Sequence, residues 1–208
     1  IEAAARTGKP VILSTGMASE EEINLAVTTL RENHCNNFVL LQCTSAYPSQ
    51  ESDANIATMN DIFERYDALV GLSDHNLRPF SAYAAASRGA CIVEKHFTLD
   101  RSQGGVDAPF SIEPQELREL CEGIKSIWAS LGTVSYGSLD SEKTSQKERP
   151  SIFVVQPISA GEVFTADNLK VIRPGDGLPP RHLSKILGEK SSADLVAGTP
   201  LSWDYLTK

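Results

Sequence analysis

From Lys9 to Leu131, short apolar runs alternate with stretches of helical period. Val11 to Ser14 predicts a buried strand, and Ser19 with Glu22 makes a capping box that opens a helix running to about Glu32. Phe38 to Cys43 predicts the next strand. A helix from about Asp53 to Tyr66 leads to a strand at Ala68 to Ser73, and a helix from about Pro79 to Arg88 leads to a strand at Cys91 to Phe97. Pro114 then marks a helix start ahead of Gln115 to Leu131, because proline's missing N–H is no loss in a first turn. Continuous apolar strands alternating with helices argue for βα units around a parallel sheet. Four such units are half of an eight-unit barrel, but they also suit an open doubly wound sheet, and periodicity does not separate the two closures.

Beyond the last helix the pattern changes. Residues 1–133 form the βα part, and 134–150 are polar and turn-rich with no apolar stripe, which predicts a linker. Residues 151–208 form a small module: a strand at Ile152 to Val155, a turn at Ser159 to Glu162, and short segments split by Arg173-Pro-Gly-Asp-Gly177 and Ala197-Gly-Thr-Pro200. A module of this size, about sixty residues, is marginal alone, so it is expected to pack against another surface. The chain opens on Ile1 and a helix-like Glu2 to Arg6, which reads as a start in mid-protein without a signal peptide.

Composition narrows the function classes. With 41% hydrophobic and 22% charged residues, the 208-residue chain can bury a core, so disorder is not expected. Its 27 acidic against 19 basic side chains, with no basic patch, argue against nucleic acid as a partner. Apolar runs such as Phe38 to Leu41 and Ala82 to Ala86 fall far short of the roughly 20 residues that cross a bilayer, so a soluble protein is expected. Cys35, Cys43, Cys91 and Cys121 lack metal-ligand spacing and are expected as buried free thiols in a reducing cytoplasm.

Candidate chemistry gathers at predicted strand ends. Ser73 and His75 share one side of their strand, as do Glu94 and His96, because successive strand residues face opposite ways. In a parallel barrel the C-terminal strand ends form the active-site face, and neighbouring strands about 4.8 Å apart let two imidazoles grip one metal. Imidazole suits Mn²⁺, Fe²⁺, Co²⁺ and Zn²⁺, with Glu94 or Asp107 as oxygen donors; a hydrogen-bonded core histidine is the plainer alternative for each. His34 and His182 fall near element ends and are expected in surface or capping roles. Tyr47 follows a strand end, where it offers a ring and hydroxyl to a sugar or simply covers the rim. Ser14 to Ser19 can present hydroxyls and amides to an anion, or be a plain capped turn. Gly104-Gly105-Val106-Asp107 suits a flexible loop, and Arg173 is held by the stiff Pro174-Gly175 turn.

Together these segments resemble one family. Lys9-Pro-Val-Ile-Leu-Ser-Thr-Gly-Met17, Cys43-Thr-Ser-Ala-Tyr-Pro48, Gly71-Leu-Ser-Asp-His75, Glu94-Lys-His-Phe-Thr-Leu-Asp100 and Ile172-Arg-Pro-Gly175 are similar to the sialic-acid synthases, in the right order and across essentially the whole chain. Residues 101–114, 173–179 and 198–203 resemble the pseudaminic acid branch.

The resemblance implies the second half of a (β/α)₈ barrel followed by an antifreeze-like (SAF) domain, in a domain-swapped homodimer. It implies condensation of phosphoenolpyruvate with an amino sugar, 2,4-diacetamido-2,4,6-trideoxy-L-altrose, to give pseudaminic acid and phosphate. N-acetylneuraminate or legionaminic acid synthesis, or a non-catalytic sugar-binding fragment, are the other readings. By the family pattern His75 and His96 bind a divalent metal (Mn²⁺, Mg²⁺ or Co²⁺), Tyr47 and Asp107 lie at the sugar, and Ser45 and Ser73 lie near phosphoenolpyruvate. Arg173 reaches the partner's substrate. Ser45 stands where neuraminate synthases tend to carry Asn. The resemblance also implies that the chain begins just before the fifth barrel strand, leaving the lysines that hold phosphoenolpyruvate upstream and the fragment inactive alone.

Overall fold

In a computed structural model, residues 1–207 are described and the chain divides into two compact units, Ile1–Thr133 and a second that begins at Val134. The first unit holds a parallel sheet of β1 (Val11–Ser14), β2 (Phe38–Cys43), β3 (Leu69–Asp74) and β4 (Ile92–Lys95), hydrogen-bonded in the order β1-β2-β3-β4. Each strand is added on the same side as the one before it. This is how a barrel wall grows; a doubly wound sheet reverses direction at a switch point. The curled sheet is therefore half of a (β/α)₈ barrel.

The helices are α1 (Glu2–Ala5), α2 (Glu20–Glu32), α3 (Ile56–Tyr66), α4 (Phe80–Ser87) and α5 (Pro114–Leu131). Ser19 caps α2, accepting from Glu22 N while Glu22 Oε2 accepts from Ser19 N at 2.7 Å. Pro114 occupies the first turn of α5. Along the strands one set of alternate residues packs outward under the helices: Val11 and Leu13, Phe38 and Leu40, Val70 and Leu72 join Leu30, Met59 and Ile62 in the main core. Val93 packs with Ala82, Ile112 and Leu120 in a smaller cluster.

Two boundaries differ from the sequence reading by more than one residue, for local reasons. The third helix starts at Ile56 because Glu51–Asp53 form a separate 3₁₀ turn. β4 stops at Lys95, ahead of His96, because the backbone then leaves β3 for Ile112: Ile112 N donates to His96 O at 2.8 Å and Thr98 N to Ile112 O at 3.0 Å. The expectation of buried thiols needs correction, since Cys35 is buried and Cys43 half-buried, but Cys91 and Cys121 are exposed, on the lead into β4 and on α5. All four are free.

The second unit opens with the segment expected as a linker, which carries a 3₁₀ turn at Asp140–Glu142 and α6 (Lys143–Gln146). β5 (Ser151–Val154) and β6 (Leu169–Ile172) pair antiparallel over a core of Ile152, Val154, Phe164, Leu169, Ile186 and Leu201. α7 (Leu183–Ile186) and single bridges such as Ile158 with Leu195 complete it. Among the described residues no helix is long and apolar enough to cross a membrane.

Candidate active site

The inner face of the sheet carries the other alternate residues, and towards the C-terminal strand ends they turn polar. Ser73 and Glu94 are direct partners across β3 and β4, and the Ser73 hydroxyl donates to Glu94 Oε1 at 2.7 Å. Two positions further along the chain, just past each strand end, stand His75 and His96, their ring centroids 5.3 Å apart. A cavity of about 250 Å³ is lined by Ser73, His75, Glu94, Lys95 and His96.

His75 is 6% exposed and its Nδ1 lies 2.8 Å from Thr44 O. A carbonyl only accepts, so Nδ1 is the donor in this contact and Nε2 is the ring nitrogen left for another partner. The same loop is tied back by Ser49 N, which donates to His75 O at 3.1 Å. That stitching puts the Tyr47 ring 4.2 Å from the His75 ring and 5.8 Å from the His96 ring. Phe110 sits 5.0 Å from His96 and 5.2 Å from Tyr47. Sequence reasoning missed Phe110, whose only signal was its nearness to Asp107.

Asp107 approaches His96, with Oδ2 3.5 Å from Nδ1. Its loop passes through Gly104 and Gly105, both at positive φ. The loop is held by Arg101, whose backbone N donates to Glu113 Oε1 at 2.8 Å and whose guanidinium donates to Glu116 Oε2 at 2.6 Å and to Ser111 O at 3.1 Å. The hydrogen bond from Arg101 holds the Glu116 carboxyl below its ordinary range.

Ser45 lies beside the turn after β1: a Cβ added at Gly16 would stand 2.3 Å from Ser45 Oγ. The neighbouring hydroxyls of that turn are used locally, Thr15 donating to Leu41 O at 3.0 Å and Ser19 capping α2. This is the capped βα turn. His34 follows α2 at positive φ, and His182 meets the edge of Trp203 at 5.0 Å.

In the second unit Arg173 follows β6 on a tightly held loop. Ser151 Oγ donates to Pro174 O at 2.6 Å and accepts from Gly177 N at 2.9 Å, while Gly175 N donates to Lys147 O at 2.9 Å. A cavity of about 740 Å³ in this unit is lined by Lys143, Lys147, Arg149 and Arg181.

The donor chemistry of the first unit suits a divalent metal. Nδ1 of each imidazole faces an oxygen, Thr44 O at 2.8 Å for His75 and Asp107 Oδ2 at 3.5 Å for His96, the kind of contact that orients a metal-binding histidine. Among the described residues no group of three His, Cys, Asp or Glu converges on one point, and Glu94 is taken up by Ser73. The chain thus offers two imidazole donors, and further positions would fall to water or substrate.

Comparison with known proteins agrees with this architecture. The chain is 39% identical to the pseudaminic acid synthase of Helicobacter pylori over its whole length and 62% of that protein. It is 34% identical to the N,N'-diacetyllegionaminic acid synthase of Legionella pneumophila, over 95% of the chain and 57% of that protein. The crystal structure of N-acetylneuraminic acid synthetase from Leptospira borgpetersenii, in complex with citrate, superposes with a TM-score of 0.63 at 38% identity, covering 69% of this chain and 50% of that one. The chain thus spans less than two thirds of these relatives' length. The model of the SAF domain matches residues 149–207 and that of the NeuB family residues 1–136, so the chain belongs to the NeuB family.

Proposed function

We propose that the full-length protein condenses phosphoenolpyruvate with an open-chain amino sugar, 2,4-diacetamido-2,4,6-trideoxy-L-altrose, to give pseudaminic acid and inorganic phosphate. The observation that carries this reading is the convergence of His75, His96 and Tyr47 at the ends of parallel strands, in a chain 39% identical to a pseudaminic acid synthase. A bond forms between C3 of phosphoenolpyruvate and the aldehyde carbon. Water adds to C2, the C2–O bond breaks and phosphate leaves.

His75 and His96 would hold a divalent ion, which would supply Lewis-acid polarisation of the aldehyde oxygen. The protein's own groups do the rest. Thr44 fixes the His75 tautomer, and Asp107 orients His96 and faces the sugar. Tyr47 and Phe110 wall the site against water with a hydroxyl at one edge. Ser45 and Ser73 bind on the phosphoenolpyruvate side, where Ser73 is already turned by Glu94. Arg173 supplies a cation from the partner subunit of a domain-swapped dimer, which a chain of net charge −8 needs locally for an anionic substrate. The polar segment 134–150 supports such an exchange.

Side-by-side turnover of candidate sugars by the full-length protein tests the reading. Phosphate release should be fastest with the pseudaminic precursor, and residues 1–208 alone should give background. Equal or faster release with N-acetylmannosamine or the legionaminic precursor would reassign the substrate. Mixing Arg173→Ala with His75→Ala subunits should restore activity through hybrid dimers; hybrids as inactive as both parents would remove Arg173 from the partner's site.

A further inference from the structure

The residues just before the two histidines, Asp74 and Lys95, are direct partners across β3 and β4. Alternation sends their side chains to the outer face, away from the imidazoles. There Lys95 Nζ meets Asp74 Oδ2 at 2.8 Å, the two side chains only 4% and 1% exposed. Asp74 Oδ1 accepts from Asn76 N at 3.0 Å and from Asn76 Nδ2 at 3.1 Å. Lys95 also donates to Asn76 O, and Asn76 Nδ2 donates to Ser81 Oγ at 3.0 Å, in the first turn of α4. His75 is therefore bracketed by residues 74 and 76 of one network, and His96 follows its third member.

Burying an ion pair is a costly way to fill space, since desolvation offsets much of the attraction and apolar side chains of similar volume often hold a fold as well. What an apolar pair lacks is direction. Directional hydrogen bonds, donated by Lys95 and Asn76 and accepted by Asp74 and the Asn76 carbonyl, constrain how far the β3 and β4 ends stand apart and how the chain turns at Asn76. We propose that Asp74, Lys95 and Asn76 are positioning residues that fix the His75 and His96 rings relative to each other for binding one divalent cation. The cation rests on the proposed function; the positioning of the rings does not.

The test uses full-length Asp74→Asn and Lys95→Met, with Met59→Ala, on α3 and outside the network, as a core control. Asp74→Asn keeps an acceptor for Asn76 while removing the charge opposite Lys95, so it decides the matter if Lys95→Met does not fold. In metal-free protein the imidazole NMR signals of His75 and His96 should shift or broaden in the variants, while those of His34 and His182 stay. Titrated Mn²⁺ should bind roughly tenfold or more weakly, as is usual when groups supporting metal ligands are lost. Met59→Ala should leave ring signals and affinity unchanged. Unmoved rings and wild-type Mn²⁺ affinity would overturn the proposal, and so would equal effects from Met59→Ala. If the rings move but the wild-type protein binds no Mn²⁺, the positioning stands and the metal reading falls.

Discussion

The two faces of the parallel sheet contrast sharply. On the outer face Leu40, Leu72 and Val70 are buried beneath helices, with Leu40 fully so. On the inner face Ile12 and Leu69 are 54% and 58% exposed at the N-terminal end, Leu41 is buried midway, and towards the strand ends the residues become the polar Ser73, Glu94, His75 and His96. One backbone serves both purposes because the side-chain period is two, so packing and chemistry occupy alternate positions without competing. The difference teaches that burial alone does not mark the site. The most buried charged pair, Lys95 with Asp74, lies on the packing side, directly behind the histidines.

This contrast can be broken by substitution. His96→Ala should have the largest effect: metal-dependent turnover of the full-length protein falls about a thousandfold or more, as expected when several kcal/mol of charge stabilisation is lost. Its unfolding midpoint should barely change, because the ring is only partly buried. A variant that turned over normally would remove His96 from the site. Leu40→Ala should do the reverse, costing about 3–5 kcal/mol in denaturant unfolding while the folded fraction keeps its kcat. Gly71→Ala sharpens the comparison, since it is an inner-face change with a packing penalty. Its new Cβ would stand 2.4 Å from Ile92 O and 2.6 Å from Leu41 Cδ2, so about 1–3 kcal/mol of stability should be lost. Unfolding curves matching wild type would show that the inner face is looser than described.

The smallest effect is acid sensitivity at the loop that carries Asp107. Glu116 has its carboxyl lowered by the hydrogen bond from Arg101, so its folded-state pKa lies below the unfolded one. The contribution is fully present above the ordinary carboxylate range and is lost as pH falls through the lowered folded value. Arg101 is itself raised by Glu116 and stays charged throughout. Wild type should therefore lose slightly more stability than Glu116→Gln between neutral and acid pH, and parallel curves for the two proteins would argue that the pair contributes nothing.

Much of this arrangement was legible in the sequence. The βα alternation gave the parallel sheet, Ser19 with Glu22 and Pro114 gave two helix starts, and the strand-end positions of His75 and His96 singled out the rings that meet. Local signals sufficed there because caps and strand alternation act over a few residues. What was hidden depends on distant partners. Lys95 reads as a charge at a strand end, and partners some twenty residues earlier, the Asp74 carboxylate and the Asn76 carbonyl, make its burial tolerable. Phe110 reaches His96 because Arg101 folds its loop onto the start of α5. Cys91 and Cys121 look like core residues by type, yet both are exposed. The short helix of Lys143–Gln146 has no apolar stripe; the contact from Gly175 to Lys147 lies just beyond it, in the same unit.

The most direct test of the central claim is a Mn²⁺ titration of the full-length protein, followed by calorimetry, alongside His75→Ala and His96→Ala. If the two inner-face imidazoles form one metal site, wild type takes up one ion per subunit and each variant loses that uptake while remaining folded. Unchanged stoichiometry and affinity in either variant would contradict it.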